Sequence, residues 1–342
     1  MTKTHERQLY PFSAIVGQER MRIALILNAI NPGIGGVLIR GERGTAKSTA
    51  VRSLATLLPD MDVVQGCPFG CNPNDPDTMC MECRRRYEEK TIVPAKTRMR
   101  VVELPVSSKE DKVVGTLDIS EAIKSGDKKF EPGVLAEANR NILYVDEVNL
   151  LNDHIVDVLL DAAAMGLNTV EREGISFSHP SNFILVGTMN PEEGDLRPQL
   201  LDRFGLCVNI EGISDPDVRL DIVRRRMEFD RDPEAFRKKY LSDDDELRRR
   251  ITEAKALLPQ VTISDTILRN IVDICIEAGV DGHRGDIAMM KVSSTMAAFR
   301  GRTEVTADDL RDTADMVLLH RMKKTPFSEM RLDREKLNGM IS

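Results

Sequence analysis

The stretch Val37-Leu-Ile-Arg-Gly-Glu-Arg-Gly-Thr-Ala-Lys-Ser-Thr49 limits what this chain can become more than any other. Val37 to Ile39 is apolar and partly β-branched, and Thr49 to Leu58 repeats Val51, Leu54, Ala55 and Leu58 at helical spacing. A buried strand, a glycine-bearing turn and a helix start thus follow one another directly. Such a turn cradles phosphate: the backbone N–H groups of Gly41, Glu42, Arg43, Gly44, Thr45 and Ala46 would wrap it, and the positive end of the helix adds to the field. Lys47 would reach the β- and γ-oxygens of a nucleotide, and the hydroxyl of Ser48, next to Thr49, would face Mg2+. One residue departs from G-x-x-x-x-G-K-[ST]: Ala46 stands at the second glycine, small enough for phosphate but averse to positive φ. An ordinary glycine-rich turn before a helix is the bland alternative.

Downstream residues supply the rest of a hydrolytic site. Asn141-Ile-Leu-Tyr-Val-Asp-Glu147 reads as a buried strand ending in two carboxylates. Neighbouring side chains on a strand point to opposite faces, so the pair can divide labour only where the strand ends. Asp146 would hold Mg2+ through its water shell and Glu147 would polarise the attacking water; a solvent-exposed Asp-Glu turn is the competing reading. Phe183-Ile-Leu-Val-Gly-Thr-Met-Asn190 is a second buried strand, with Asn190 able to hydrogen-bond a γ-phosphate or simply to cap a turn before Pro191. Gly194 to Gly205 places Arg197, Asp202 and Arg203 on or near one short helix, where a guanidinium suits the charge spread over transferring phosphoryl oxygens. Ion pairing between Asp202 and an arginine is the alternative there.

At 342 residues the chain can hold two domains, each with a core. Residues 1–212 read as an α/β nucleotide-binding domain and 213–342 as helical, with amphipathic runs such as Leu247, Ile251, Ala254, Leu258 and Ile267, Ile271, Ile274, Ala278. Arg284 opens the helix Asp286 to Phe299 and would be aimed back at the nucleotide, or else be a solvated helix start. Within the first domain, 98–120 reads as a β insertion (Val101 to Pro105, then Val113 to Ile119), Ser120 to Lys124 as a short helix, and Phe130 to Ala138 as a loop and helix. Asn149 to Met165 is helical with Leu150, Ile155, Val158, Leu159 and Ala162 on one side, and Thr169 to Phe177 is a hairpin about Gly174.

A net charge of −7 gives no global support for nucleic acid or anionic membrane, and 4% aromatic residues with no Trp leave little for base-stacking platforms. No run of about 18 apolar residues occurs and no signal-like N-terminal segment is present, so a cytoplasmic protein is expected. In that compartment Cys67, Cys71, Cys80 and Cys83, in a proline-stiffened loop over 66–84, argue for metal over disulfides. Four thiolates would close a tetrahedral Zn2+ site or hold an iron–sulfur cluster; reduced free thiols are the alternative. The adjacent Arg84-Arg-Arg86 reads as a solvated helix face.

Strand, cradle, carboxylate strand, Asn-tipped strand, arginine helix and helical lid, in this order, resemble an AAA+ ATPase over nearly the whole chain. The stretch Ile39 to Ser48, the insertion from Leu104 to Ile119, the hairpin about Gly174 and Leu196-Arg-Pro-Gln-Leu-Leu-Asp-Arg-Phe-Gly205 resemble, more narrowly, the magnesium chelatase ATPase subunit I. The resemblance implies a P-loop AAA+ parallel-sheet sandwich with β-hairpin insertions and a smaller all-α lid. It implies ATP and Mg2+ as cofactors, Asn190 as sensor 1, Arg203 as an arginine finger acting on a neighbour's ATP, and Arg284 as sensor 2. It further implies a homo-oligomeric ring, a hexamer, a related D subunit with an integrin-like domain, and a large subunit holding the porphyrin into which ATP turnover drives a divalent metal, Mg2+ by family. The acidic linker and D-x-S-x-S motif of the D subunit are not found, and the four-cysteine loop is not carried by the resemblance. A MoxR-like chaperone ATPase, which also favours Ala at the second glycine, a helicase-like motor and a nucleotide-gated scaffold are the competing functions.

Overall fold

The computed structural model describes residues 9–42, 44–118, 129–172 and 175–322. Helix α1 (Glu19–Ile30) leads to β1 (Val37–Gly41) and α2 (Lys47–Leu57). Next come β2 (Met61–Val64), α3 (Met81–Glu88), β3 (Pro94–Thr97), β4 (Val101–Glu103) and α4 (Glu110–Val114). They are followed by β5 (Thr116–Asp118), β6 (Lys129–Glu131), α5 (Val134–Ala138), β7 (Ile142–Val145) and α6 (Asp153–Met165). Hairpin strands β8 (Leu167–Arg172) and β9 (Ile175–Pro180) precede β10 (Ile184–Met189), α7 (Pro198–Leu201) and β11 (Leu206–Ile210). The remaining described residues are helical, α8 (Pro216–Arg231), α9 (Pro233–Leu257), α10 (Asp265–Glu277), α11 (Arg284–Phe299) and α12 (Ala307–Leu318), apart from one bridge between Thr262 and Glu304.

Five strands make one parallel sheet in the order β11-β1-β10-β7-β4. A parallel sheet is covered on both faces, which is why its strands are continuously apolar rather than alternating. The two-residue period survives in where the side chains go. Val37, Ile39, Tyr144, Val186 and Val208 enter the core shared with α1, α2 and the C-terminal helices, whereas Leu38, Leu143, Val145, Leu185 and Cys207 enter the core under α5 and α6. The first of these cores also contains Ile251, Ile274, Val292 and Val317, so the helical part is packed on the sheet domain through one apolar cluster.

Sharp helix starts follow from local chemistry. Asp215 accepts the N–H of Asp217 before α8, Asp232 that of Ala235 before α9, and Ser264 that of Ile267 before α10. Pro216 and Pro233 occupy the first helical turn, where no N–H partner is needed.

Several expectations change. Val113 and Val114 belong to helix α4, not to a strand; Gly115 at φ +97° breaks it and leaves only Thr116–Asp118 extended. Phe130 and Glu131 pair with β5 as β6 instead of forming a loop. Leu150 sits in a 3-10 turn and is 48% exposed, so it is not on the buried side of α6. Ile119, the helix expected over Ser120 to Lys124 and the hairpin tip Gly174 lie outside the described residues, although both hairpin arms are present.

Candidate active site

The cradle is built by the sheet. A Cβ on Gly41 would lie 2.4 Å from the carbonyl oxygen of Ile210 on β11, so close strand packing requires glycine there. Gly44 has φ +82°, and Ala46 takes the left-handed region at φ +61°. For an alanine that conformation costs roughly 1–2 kcal/mol, which the flanking strand and helix must offset. Helix α2 begins at Lys47, so its free N–H groups face the turn. The Thr45 hydroxyl donates to the Glu42 carbonyl at 2.9 Å and the Lys47 ammonium to that of Gly41 at 2.5 Å. Arg43 lies outside the described residues.

Beside the turn opens a cavity of about 620 Å³, within the usual range of small-ligand sites. Gly44, Thr45, Ala46 and Thr49 line its polar side; Tyr10, Ile15, Val16 and Ile213 line an apolar side fit for a purine ring. The residues before α1 and after β11 that form this apolar wall were not singled out in the sequence as part of a site. Their position next to a cradle would have been the signal.

The carboxylates sit at the same end of the sheet. In register, Gly187 pairs with Val145 and Arg40 with Met189, so Asp146, Thr188, Asn190 and Gly41 share the C-terminal edge of adjacent parallel strands. Open α/β sheets bind ligands at that edge. Asp146 accepts the hydroxyl of Tyr144 at 2.8 Å and that of Thr188 at 2.5 Å. Burial, reinforced by the Asp146 carboxylate, pushes the Tyr144 hydroxyl above its ordinary pKa, so it stays a proton donor to the carboxylate. The Thr188 oxygen also accepts the N–H of Glu147 at 3.1 Å, pinning a residue at φ +55°. Tyr144 and Thr188 escaped the sequence reading, although each lies two residues before a site residue on the same strand and therefore on the same face. Asn190 is buried at 5% exposure, and its side chain accepts the N–H of Glu192 at 3.2 Å, a turn-capping contact.

Arg203 and Arg284 are elsewhere. The N–H groups of Gly205 and Leu206 donate to the carbonyls of Gly35 and Gly36, which precede β1, so the Arg203 segment lies at the N-terminal edge of the sheet. Five residues of β1 separate this edge from the cradle, about 13–16 Å at strand rise. Arg203 pairs there with Asp157 and Asp161 of α6. Arg284 bonds Asp202 at 2.9 Å and does not line the nucleotide cavity. A lid arginine aimed at its own nucleotide is thus not what the fold contains: packing of the helical part on α1 puts α11 at the other edge. Arg321 joins the same cluster, 3.3 Å from Asp202.

The four cysteines converge. The Sγ atoms of Cys67, Cys71, Cys80 and Cys83 lie within 4.8 Å of one another, and all but Cys67 are buried. Hydrogen bonds from Cys71 and Cys80 pull the Cys67 thiol down, and hydrogen bonds to Cys67 and Cys80 together with burial push Cys71 up. In the run Arg84-Arg-Arg86 of α3, Arg84 and Arg85 are exposed as expected, whereas Arg86 is half-buried and donates to the Gln65 carbonyl at 3.3 Å.

The family model described as magnesium chelatase, subunit ChlI, matches residues 117–214, and the AAA lid domain model matches 268–339. The magnesium-chelatase subunit ChlI homolog of Methanocaldococcus jannaschii is 56% identical over 334 residues, 98% of this chain and 91% of the relative. The chain belongs to the magnesium chelatase subunit I family. The magnesium-chelatase subunit ChlI of Nostoc is 50% identical over 330 residues, covering 96% of this chain and 88% of that protein. Among solved structures, a chain from the complex between subunits BchI and BchD of magnesium chelatase is 46% identical with a TM-score of 0.56, over 98% of this chain and all of that one. A putative ATPase from Cytophaga hutchinsonii shares the fold at 18% identity, with a TM-score of 0.61 over 96% of this chain and 90% of its own.

The subunit is therefore an AAA+ ATPase, the motor component of a chelatase of this type, with ATP and Mg2+ as its nucleotide and ion. The chaperone and helicase alternatives are not favoured. Among the described residues no helix is long and apolar enough to cross a membrane.

Proposed function

We propose that this subunit hydrolyses MgATP inside a ring of like subunits, a hexamer, each site being completed by Arg203 of the neighbour. We further infer that this turnover drives a divalent metal, Mg2+ by family, into a porphyrin held by a separate large subunit, with a D subunit bearing an integrin-like domain as partner. The single supporting observation is polarity: Lys47, Asp146, Glu147 and Asn190 occupy one edge of the sheet, while Arg203 and Arg284 occupy the other. An arginine tied to the N-terminal edge meets a phosphate only across a subunit boundary. Arg284, as sensor 2, would act from that same edge.

The oxygen donors Ser48 and Asp146 suit Mg2+, a hard cation that prefers such ligands. Ser48 and Asp146 would hold the ion, which would supply positive charge against the negative charge developing on the phosphate oxygens. Lys47 would swing from the Gly41 carbonyl to the same oxygens. Glu147, its backbone pinned by Thr188, would polarise the attacking water, and Asn190 would orient it. The domain boundary is placed at 212/213, between β11 and α8, and the compartment is the cytoplasm. A resident metal at Cys67, Cys71, Cys80 and Cys83, zinc or an iron–sulfur cluster, belongs to the same reading.

Arg203→Ala should keep ATP binding and lose turnover by about a thousandfold or more; undiminished turnover would remove Arg203 as the finger. The client is tested separately, by reconstitution with large and D subunits over Mg2+, Co2+ and Ni2+, with and without ATP. ATPase activity with no ATP-dependent insertion of any of the three would overturn the chelatase role and leave the hydrolysis intact.

A further inference from the structure

Resting on the reading of the four cysteines as metal ligands, we propose that they hold one zinc-class ion, and that this ion sets Phe69 into an aromatic seam fastening hairpin β8–β9 and strand β6 to the sheet domain. Nothing in nucleotide hydrolysis uses these residues. The cavity beside α2 is lined by none of them.

The donor set selects the ion. Four thiolates about 2.3 Å from a tetrahedral zinc stand about 3.8 Å apart, and the four Sγ atoms here all lie within 4.8 Å. An iron–sulfur cluster, whose several irons are themselves separated, needs its thiolates spread farther than one ion does. Four protein ligands also leave no open position, which makes the site structural. Ligand supports are already in place. The N–H of Cys80 points at the Cys71 sulfur at 3.2 Å, Cys80 caps α3, and Cys83 lies in its first turn.

Phe69 lies midway between two of the ligands, Cys67 and Cys71, on a turn that Gly70 closes at φ +57°. Fixing both sulfurs therefore fixes the ring. The turn is held from behind by Asn139, which donates to the Phe69 carbonyl at 2.7 Å, and by Arg140, which donates to that of Gly70 at 3.1 Å. In front, the Phe69 ring stacks on His179 of β9, with centroids 4.8 Å apart and planes 20° apart. Phe130 of β6 and Phe177 of β9 stack next to it at 4.3 Å. Three separate excursions of the chain thus meet on one side chain that a loop without regular structure could not position alone.

Full-length protein purified without oxygen should carry one zinc per chain and no iron. Absence of stoichiometric metal would overturn the metal reading, and iron in its place would overturn the zinc assignment. Stripping the metal with a chelator in reducing buffer should speed hydrogen exchange in 64–71, β6, β8 and β9 at least about tenfold, these being the segments that lose their anchor, while ATP affinity stays within twofold. Zinc-loaded Phe69→Ala should keep its metal yet loosen β8 and β9 alike. Wild-type exchange in β8–β9 after stripping, or in zinc-loaded Phe69→Ala, would overturn the seam even with zinc confirmed.

Discussion

Two arginines from the helical part hold the same carboxylate, Asp202, and their removal should have very different costs. Arg284 reaches it at 2.9 Å from a side chain 59% exposed; Arg321 reaches it at 3.3 Å from one 3% exposed. Arg321 also donates to the carbonyls of Asp202 at 3.0 Å, Phe204 at 2.6 Å and Gly205 at 3.2 Å. Burial brings its pKa down to about 10 in spite of Asp202, which leaves it charged at neutral pH. Arg321→Ala removes the buried donor shared by three carbonyls, although Arg284 still faces the Asp202 carboxylate and His320 the Phe204 carbonyl; at about 1–3 kcal/mol for each group left unsatisfied the loss is about 3–5 kcal/mol. Arg284→Ala breaks an exposed pair and should cost within about 1 kcal/mol. At about 1–2 °C per kcal/mol for a chain of 342 residues, the expected melting shifts are about 3–10 °C against about 2 °C or less. Urea unfolding followed by circular dichroism gives the comparison directly. Equal losses for the two variants, or an Arg321→Ala protein within about 1 kcal/mol of wild type, would refute the assignment of stability to the buried clamp.

Thr188→Val keeps the shape but removes the hydroxyl serving both Asp146 and the Glu147 backbone. It should cost about 1–3 kcal/mol in unfolding and at least about tenfold in turnover with ATP binding nearly unchanged; wild-type turnover would contradict the supporting role of Thr188. Burial holds His179 below its ordinary pKa, hence neutral, between Asn168 and the Pro180 carbonyl at 2.9 Å each. The unfolded chain takes up a proton near pH 6.5 that the folded chain refuses. Stability is therefore full above about pH 6.5 and falls as pH drops below it, by up to about 1.4 kcal/mol per pH unit for this residue. Unfolding measured at pH 6.5 and 5.5 should show a smaller difference in His179→Asn, with His320, shifted the same way, still contributing.

Much of the site was legible because it depends on local pattern. Val37–Thr49 and Asn141–Glu147 each combine an apolar strand with the chemistry at its tip, and the parallel sheet brings those tips together whatever the register. Asn190 was legible as a strand tip for the same reason, while its turn-capping contact is visible only in the fold. What escaped depends on distant packing. Strand β11 carries the polar Asn209 after Leu206, Cys207 and Val208 and has no site chemistry at its tip to mark it, and β2 with β3 pair across the whole cysteine loop. The edge on which Arg284 lies is decided by how α11 packs with α1, and no periodicity within α11 encodes that. Val113 and Val114 look like a strand because two β-branched residues favour either element until Gly115 ends a helix.

The placement of Arg203 at the edge of the sheet opposite the cradle gives every subunit a polarity. If copies associate as proposed, their contacts would be head-to-tail, the kind that either close into a ring or grow without limit. Under neighbour-completed hydrolysis an open arc always has one fewer working site than it has chains, and closing the arc gains a site without gaining a chain. Damage also sorts by edge. On the proposed mechanism a chain lacking Lys47 would silence itself, whereas one lacking Arg203 would silence the subunit beside it, so a defect at one edge would be covered by a partner whose defect lies at the other.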